Sequence, residues 1–412
     1  MKHEPGCIPG AKFVIPRLLT LLFLVIAGVA PLVRAGDDTA EARVSPSPSE
    51  ILWKKDTQSD LYQKIQEGIA AYYNFDFEKA NKIFDEIIRE YPKDPLGYYM
   101  KLETKWWMLI NQIDNTESNE EFVRILEKSI DVARAQVQQN RKNAGARFFL
   151  GVTYGRWGMY EGILGKKWSA LKKSIKGRDY LLEVEKMDPT ITDIYTPLGI
   201  YDFYTATQSQ FIRLLGAFFY RLYGSKKNGL AKLQTAMEKG TYTRDEAKFY
   251  TALFYLQFEG RYDEGLKLLQ ELHTRFPDNL TFTGMLAFAH QRLNQYDEAI
   301  RLYDEVLKKA QERNIYGKES LATAHYFAGE TLRKAGRLDE AVEHYKIVLD
   351  TPLTKSYWLE AYANLELGRI CDLKGDRSNA LQYYQKVMSL KSYRRSQKLA
   401  EQYLKEPFQK DG

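Results

Sequence analysis

Beyond about Ile51 the chain is written in amphipathic blocks separated by short polar breaks, and the blocks come in pairs. Each block sets its apolar residues on one face at helical spacing, which predicts α-helices, and each pair predicts a helical hairpin. The clearest stretch, Tyr250 to Lys309, carries one sentence twice. Its first copy reads Gly260-Arg261-Tyr262-Asp263-Glu264-Gly265-Leu266, and its second reads Asn294-Gln295-Tyr296-Asp297-Glu298-Ala299-Ile300. Gly265 and Ala299 are equivalent and stand 34 residues apart.

A period of that length, built of two short helices, is the signature of stacked helical hairpins. On these residues the chain resembles the tetratricopeptide-repeat family. The resemblance implies a small residue in helix A, a second small residue 12 positions later in helix B, then a bulky residue and often Pro. Small residues let the two helices approach, and the bulky one fills the gap to the next hairpin. Gly68, Ala80, Phe84 and Pro92 satisfy this frame in the first unit. The second unit is degenerate, with helical patterns over Tyr98 to Ile113 and Glu120 to Gln139 and Ser118 as a candidate cap between them. In the third unit Gly151 and Gly177 are 26 residues apart, 14 more than the frame wants. In the fourth, Gly199 and Gly229 are 30 apart, 18 more. Gly329 with Ala341 and Gly368 with Ala380 mark the seventh and eighth units, and a last helix over about Ser392 to Leu404 predicts a cap. The fold expected is therefore all-α: a solenoid of about eight hairpins, a central insertion region and a C-terminal cap helix. The divisions expected are N-terminal hairpins over 53–142, two hairpins with insertions over 143–240, a C-terminal array over 241–406 and a tail over 407–412.

The N-terminus reads as a targeting segment. Lys2, Lys12 and Arg17 precede an apolar run from Leu18 to Val33, and Val33-Arg34-Ala35 has small residues where a signal peptidase reads, so cleavage is expected after Ala35. The expectation is export to a bacterial periplasm or envelope, with an uncleaved anchor as the alternative. Residues 36–52, with Ser45-Pro46-Ser47-Pro48-Ser49, read as a disordered linker. Loss of residues 1–35 lowers the net charge from +6 to +3, because four basic residues and one acid leave with them. A charge so small on this length gives no argument for nucleic acid. Only Cys371 remains in the mature chain, so no intramolecular disulfide is expected, and stability must come from packing.

Candidate chemistry is sparse. The five histidines show no metal-binding spacing, and His290 falls in a core row of helix A. Gly162 to Lys167 fails as a phosphate loop, with Tyr160 where Gly is required and Lys167 where Ser or Thr is. Cys371 sits at a core position. The expectation is a protein that is not an enzyme, with no metal site, no cofactor and no nucleic-acid partner.

What the family resemblance implies instead is a concave groove lined by helix A residues. Transferred by position, the groove comprises Tyr73, Phe148, Arg156, Phe203, Tyr204, Tyr250, Phe254, Gln257, Phe288, Gln291, Arg292, Tyr326, Arg333, Lys334 and Arg369, with Glu330 and Asp372 opposing the later cations. About half of its aromatics are expected to be exposed. Aromatic residues grading into arginines suit a peptide-binding surface. The insertions suggest a second function. Trp168, Phe211, Leu215, Phe218 and Phe219 lie among basic residues with few acids, a pattern fit for a membrane interface. Two functions stay open: an exported scaffold binding a protein or peptide in the groove, and an envelope factor whose insertions contact lipid or an apolar ligand.

Overall fold

A computed structural model describes residues 59–409, apart from 113–115, 209–223, 355, 392 and 394. The expected signal segment, the linker and four of the five candidate membrane residues (Phe211, Leu215, Phe218 and Phe219) lie outside the described residues. Seventeen α-helices and no strand occur among the described residues. They form eight antiparallel hairpins: α1 Asp60–Tyr73 with α2 Phe77–Glu90, α3 Pro95–Asn111 with α4 Thr116–Gln139, α5 Ala144–Ile163 with α6 Lys167–Met187, and α7 Tyr195–Ala206 with α8 Lys226–Lys239. Then come α9 Arg244–Phe254 with α10 Tyr262–Arg275, α11 Leu280–Arg292 with α12 Tyr296–Arg313, α13 Lys318–Lys334 with α14 Leu338–Asp350, and α15 Trp358–Leu373 with α16 Arg377–Ser389. Helix α17, Ser396–Lys405, closes the end. No described helix is long and apolar enough to cross a membrane.

Local signals start and stop these helices. Ser59, Asn143 and Asn279 cap α1, α5 and α11 by accepting from Tyr62, Ala146 and Phe282 N–H groups. Pro95 opens α3 where no N–H is needed. Helix α4 begins at Thr116, so Ser118 lies inside it and is not its cap. In six hairpins the residue two places before helix B turns left-handed: Phe75, Gly165, Gly260, Asn294, Gly336 and Gly375. The small residues do what the repeat frame demands. A Cβ on Gly68 would stand 2.5 Å from the Phe84 ring, and one on Gly229 2.8 Å from the Gly199 carbonyl.

The turn at Gly165 shows where the extra residues of the third hairpin went. Gly151 precedes it by 14 residues and Gly177 follows by 12, against seven and five in the eighth hairpin (Gly368, Gly375, Ala380). Seven residues were added to each helix, close to two turns, so both helices lengthen without rotating their faces apart. Most of the fourth hairpin's insertion falls on 209–223, outside the described residues.

The array also closes on itself. The Asn111 carbonyl, at the end of α3, accepts from Gly317 N–H at 2.9 Å and from the Ser320 hydroxyl at 2.8 Å. The Asn279 amide donates to the Tyr73 carbonyl at 2.8 Å, and Gln112 donates to the Ile315 carbonyl at 2.9 Å. Apolar contacts line the same seam: Tyr73 meets Phe276 at 4.8 Å and Trp107 meets Phe282 at 5.6 Å between ring centroids. The first two hairpins thereby seat against the fifth to seventh, and a single core runs from Ile65 to Phe408.

Candidate functional site

This closure decides which of the groove residues can meet a ligand. Tyr73, Phe148, Phe203, Tyr250, Phe254, Phe288 and Tyr326 are buried among other side chains. Phe203 stacks on Phe254 at 4.0 Å, and Phe288 meets Phe327 edge-on at 6.2 Å. Tyr204 and Gln257 are half-buried. The expectation that about half of the groove aromatics are exposed is corrected. Hairpins that close in a tight ring fill their inner face with their own rings.

Arg156 is likewise internal. Its guanidinium donates to both oxygens of Glu103, at 2.8 and 2.6 Å, and to Glu246 at 2.8 Å, and it lies 5.0 Å from the Trp106 ring. Arg156 and Glu103 are each 5% exposed. Burial raises the pKa of Glu103; Arg156 pulls it back and Glu246 pushes it up again, leaving it above the ordinary carboxylate value. One cation thus serves two carboxylates.

The later groove is different in kind. Helices α11, α13 and α15 present Gln291 and Arg292; Glu330, Arg333 and Lys334; and Glu366 and Arg369. Arg333 and Arg369 clamp Glu366, each at 2.7 Å, and Lys334 pairs with Glu330 at 3.1 Å. Arg292 donates to the Tyr262 hydroxyl at 2.6 Å. Burial pushes Glu330 up, but Lys334, Arg333 and Arg292 outweigh it and hold its pKa below the ordinary value. Among the described residues, Arg333 and Arg369 thus share Glu366, and Lys334 holds Glu330. The Gln291 side-chain oxygen and the Tyr345 hydroxyl are buried there without a hydrogen-bond partner among the described residues.

Not all of this layer is open. Arg333 is 6% exposed, and the Phe408 ring lies 5.6 Å from it and 4.9 Å from Arg369. Arg369 also donates to the Tyr403 hydroxyl at 2.9 Å, and Asp372 accepts from Phe408 N–H at 2.8 Å. Tyr403 and Phe408 thus cover the end of the groove. Arg292 and Lys334, both half-buried, are the cations left at its edge.

Sequence reasoning missed Glu103, Glu246 and Glu366 as partners of the arginines, and missed Phe408. A lone Phe in an otherwise polar tail was the available signal. Trp168, the described candidate for membrane contact, is half-buried in the first turn of α6, beside Leu164 at 37% exposure. His290 is buried, with Nδ1 2.6 Å from the Gln295 side-chain oxygen, and Cys371 is half-buried, its thiol pushed up by burial. No group of three or more metal-ligating side chains occurs among the described residues.

Tetratricopeptide-repeat profiles match residues 67–94, 246–279, 280–351 and 365–399. A TPR repeat-containing protein of Methanocaldococcus jannaschii is 26% identical over 102 residues, which are 24% of this chain and 31% of that protein. The match thus spans about a third of that relative's length. Among solved structures, the APC/C hetero-tetramer Cut9–Hcn1 aligns with a TM-score of 0.54 at 13% identity, over 85% of this chain and 56% of that one. Yeast Tom70 aligns with a TM-score of 0.40 at 11% identity, over 87% and 90%. At such identities the likeness to Cut9–Hcn1 is one of fold alone: a helical-hairpin superhelix.

Proposed function

We propose that this chain, a tetratricopeptide-repeat protein, is a non-catalytic scaffold exported to the cell envelope, where it binds an acidic segment of a partner protein. Tetratricopeptide-repeat proteins are typically non-catalytic and bind protein partners. The binding surface is the charged layer of α11, α13 and α15. The observation that carries this reading is the cationic edge of that layer, where Arg292 donates to the Tyr262 hydroxyl and Lys334 stands beside it, paired with Glu330. A carboxylate entering beside Arg292 and Lys334 reaches guanidinium and ammonium donors together. The aromatic half of the groove is spent on the protein's own closure, so the partner is read by charge more than by apolar anchors.

Affinity capture from envelope extract tests this, with the full chain and the Arg292→Gln and Lys334→Gln variants as baits, each checked for an unchanged melting curve. A partner kept by the wild type and lost by both variants supports the reading. Equal retention by all three baits removes it. A second reading, contact with a lipid surface, draws on the tip of the lengthened third hairpin, where Leu164 is exposed beside Lys166 and Lys167. Flotation with anionic vesicles, comparing wild type with Leu164→Glu, separates the two.

A further inference from the structure

Where the closed array brings the first hairpin against the start of the fifth, it leaves a cavity of about 290 Å³. Helix α1 lines it with Tyr62, Gln66 and Ile69, and the link from α8 to α9 lines it with Thr241 and Tyr242. Gln66 Nε2 donates across this junction to the Thr241 carbonyl at 3.4 Å. A cavity of about 150 Å³ holds a benzene ring, so one of about 290 Å³ takes a six-membered ring with its substituents.

Three charged groups share the lining. Asp245, its side chain 6% exposed, is held by Arg275, whose Nη1 lies 3.0 Å from one carboxylate oxygen and 2.8 Å from the other. Arg275 is therefore engaged, and Arg244 is not. Arg244 is exposed and forms no ion pair among the described residues; it acts on Asp245 only through space, behind Arg275 and Lys248. Lys248 is itself paired with Glu271. One guanidinium is thus left at the cavity to meet an anion.

The neutral groups of the lining call for hydrogen bonds. The Tyr62 and Thr241 hydroxyls make none among the described residues, and each can both donate and accept. The Gln66 amide adds an acceptor oxygen. A plain hydrocarbon ring would displace water from these groups and leave them without partners, whereas a hydroxylated ring pairs with them. Ile69 and Tyr242, both buried, give the carbons of such a ring their apolar contact.

We propose that this cavity binds a sugar acid, a six-membered ring with hydroxyl groups and one carboxylate, its carboxylate on Arg244 and its hydroxyls on Tyr62, Gln66 and Thr241. The guanidinium offers the carboxylate a charged, two-pronged donor, and the neutral side chains read the hydroxyls. Gln66 and Thr241 are 175 residues apart, so a ligand held by both also fastens the closure of the ring. The site is separate from the charged layer of α11, α13 and α15, and stands whether or not that layer binds a protein.

The test is isothermal titration of the full chain with galacturonate, galactose, cyclohexanecarboxylate and tetragalacturonate. Galactose keeps the ring and hydroxyls without the charge, and cyclohexanecarboxylate keeps the ring and charge without the hydroxyls. A galacturonate, as monomer or tetramer, is expected to bind at least about tenfold more tightly than either. Binding of the monomer assigns a free sugar acid, and binding of the tetramer alone assigns the end of an acidic polysaccharide; both support the site. Arg244→Gln is expected to weaken that binding at least about tenfold and to leave the melting temperature of the unliganded chain unchanged, since Arg244 is exposed and unpaired among the described residues. Gln66→Trp, which fills the cavity from α1, is expected to weaken it as well. Saturating ligand should also slow hydrogen exchange in α1 of the wild type and not of Arg244→Gln. Absence of saturable binding by either galacturonate, equal binding of galactose or cyclohexanecarboxylate, or undiminished binding by either variant overturns the proposal.

Discussion

The inner face of the ring depends on one side chain, and Arg156→Met measures that dependence. The guanidinium makes two bonds to Glu103 and one to Glu246, all at 2.6–2.8 Å, and Glu103 is 5% exposed. Removing the cation leaves two carboxylates facing each other inside the array, a loss of about 3–5 kcal/mol. Glu103→Gln behaves differently. It removes the surplus negative charge and keeps Arg156 paired with Glu246, so its cost stays below about 1 kcal/mol. The pH dependence has a definite sign. Burial and Glu246 raise the pKa of Glu103 in the folded state despite Arg156, so the folded chain binds this proton more tightly than the unfolded chain does. The contribution of Glu103 is complete below the unfolded value and is lost as pH rises through the folded one. Wild type therefore gains on Glu103→Gln as pH falls through the folded-state value towards the unfolded one. Urea titrations followed by tryptophan fluorescence read both effects, since Trp106 lies against the guanidinium. The reasoning is refuted if Arg156→Met costs less than about 1 kcal/mol, or if Glu103→Gln costs as much as Arg156→Met.

Other outcomes follow from the same packing. Asp193, 1% exposed, accepts from the N–H groups of Thr241, Tyr242 and Thr243, so Asp193→Ala strands three donors at the head of α9 and lowers stability by about 3 kcal/mol in calorimetry. Phe408→Ala removes the ring over Arg333 and Arg369 and costs about 3 kcal/mol, with hydrogen exchange accelerating first in α15 to α17. His325 and His344 approach with their Nδ1 atoms 3.1 Å apart, and burial, then His344, pushes His325 down to about 4. Burial also lowers His344, against the pull of Asp304 and Glu340. Below the ordinary histidine value the unfolded chain takes up protons that the folded one refuses. Stability from His325 is thus lost between about pH 6.5 and 4, by about 2 kcal/mol, and His325→Asn flattens that slope in melting scans.

The repeat was legible because its geometry is local. The intervals Gly368 to Gly375 and Gly375 to Ala380 are read along one hairpin, and the same spacing of small residues recurs around Phe75, Gly165, Asn294 and Gly336. The third hairpin carried that signal too. Gly158 and Ala170 stand 12 apart around Gly165, and a Cβ on Gly158 would lie 2.9 Å from the Ala170 carbonyl. Reading Gly151 against Gly177 found a true contact and assigned the extra residues to an insertion, although they lengthen the two helices. The seam was not legible. Tyr73 and Phe276, or Asn111 and Gly317, are some 200 residues apart in sequence, and nothing periodic joins them. That omission made buried rings look like an open groove. Arg333 and Arg369 looked free for a similar reason: Glu366 is one turn from Arg369 but on another helix from Arg333, and Tyr403 and Phe408 reach them only after the cap helix folds back.

The claim that organises the account is that a partner docks on the inner charged layer and not on the outer helices. Photo-crosslinking in the source cells tests it most directly, with a photoreactive amino acid placed at Gly284, on the face of α11 that carries Phe288 and Arg292 and where a Cβ meets open space, or at Lys308, whose side chain is 76% exposed on α12. The account predicts a discrete adduct from position 284 and none from 308. An adduct from 308 with none from 284 contradicts it.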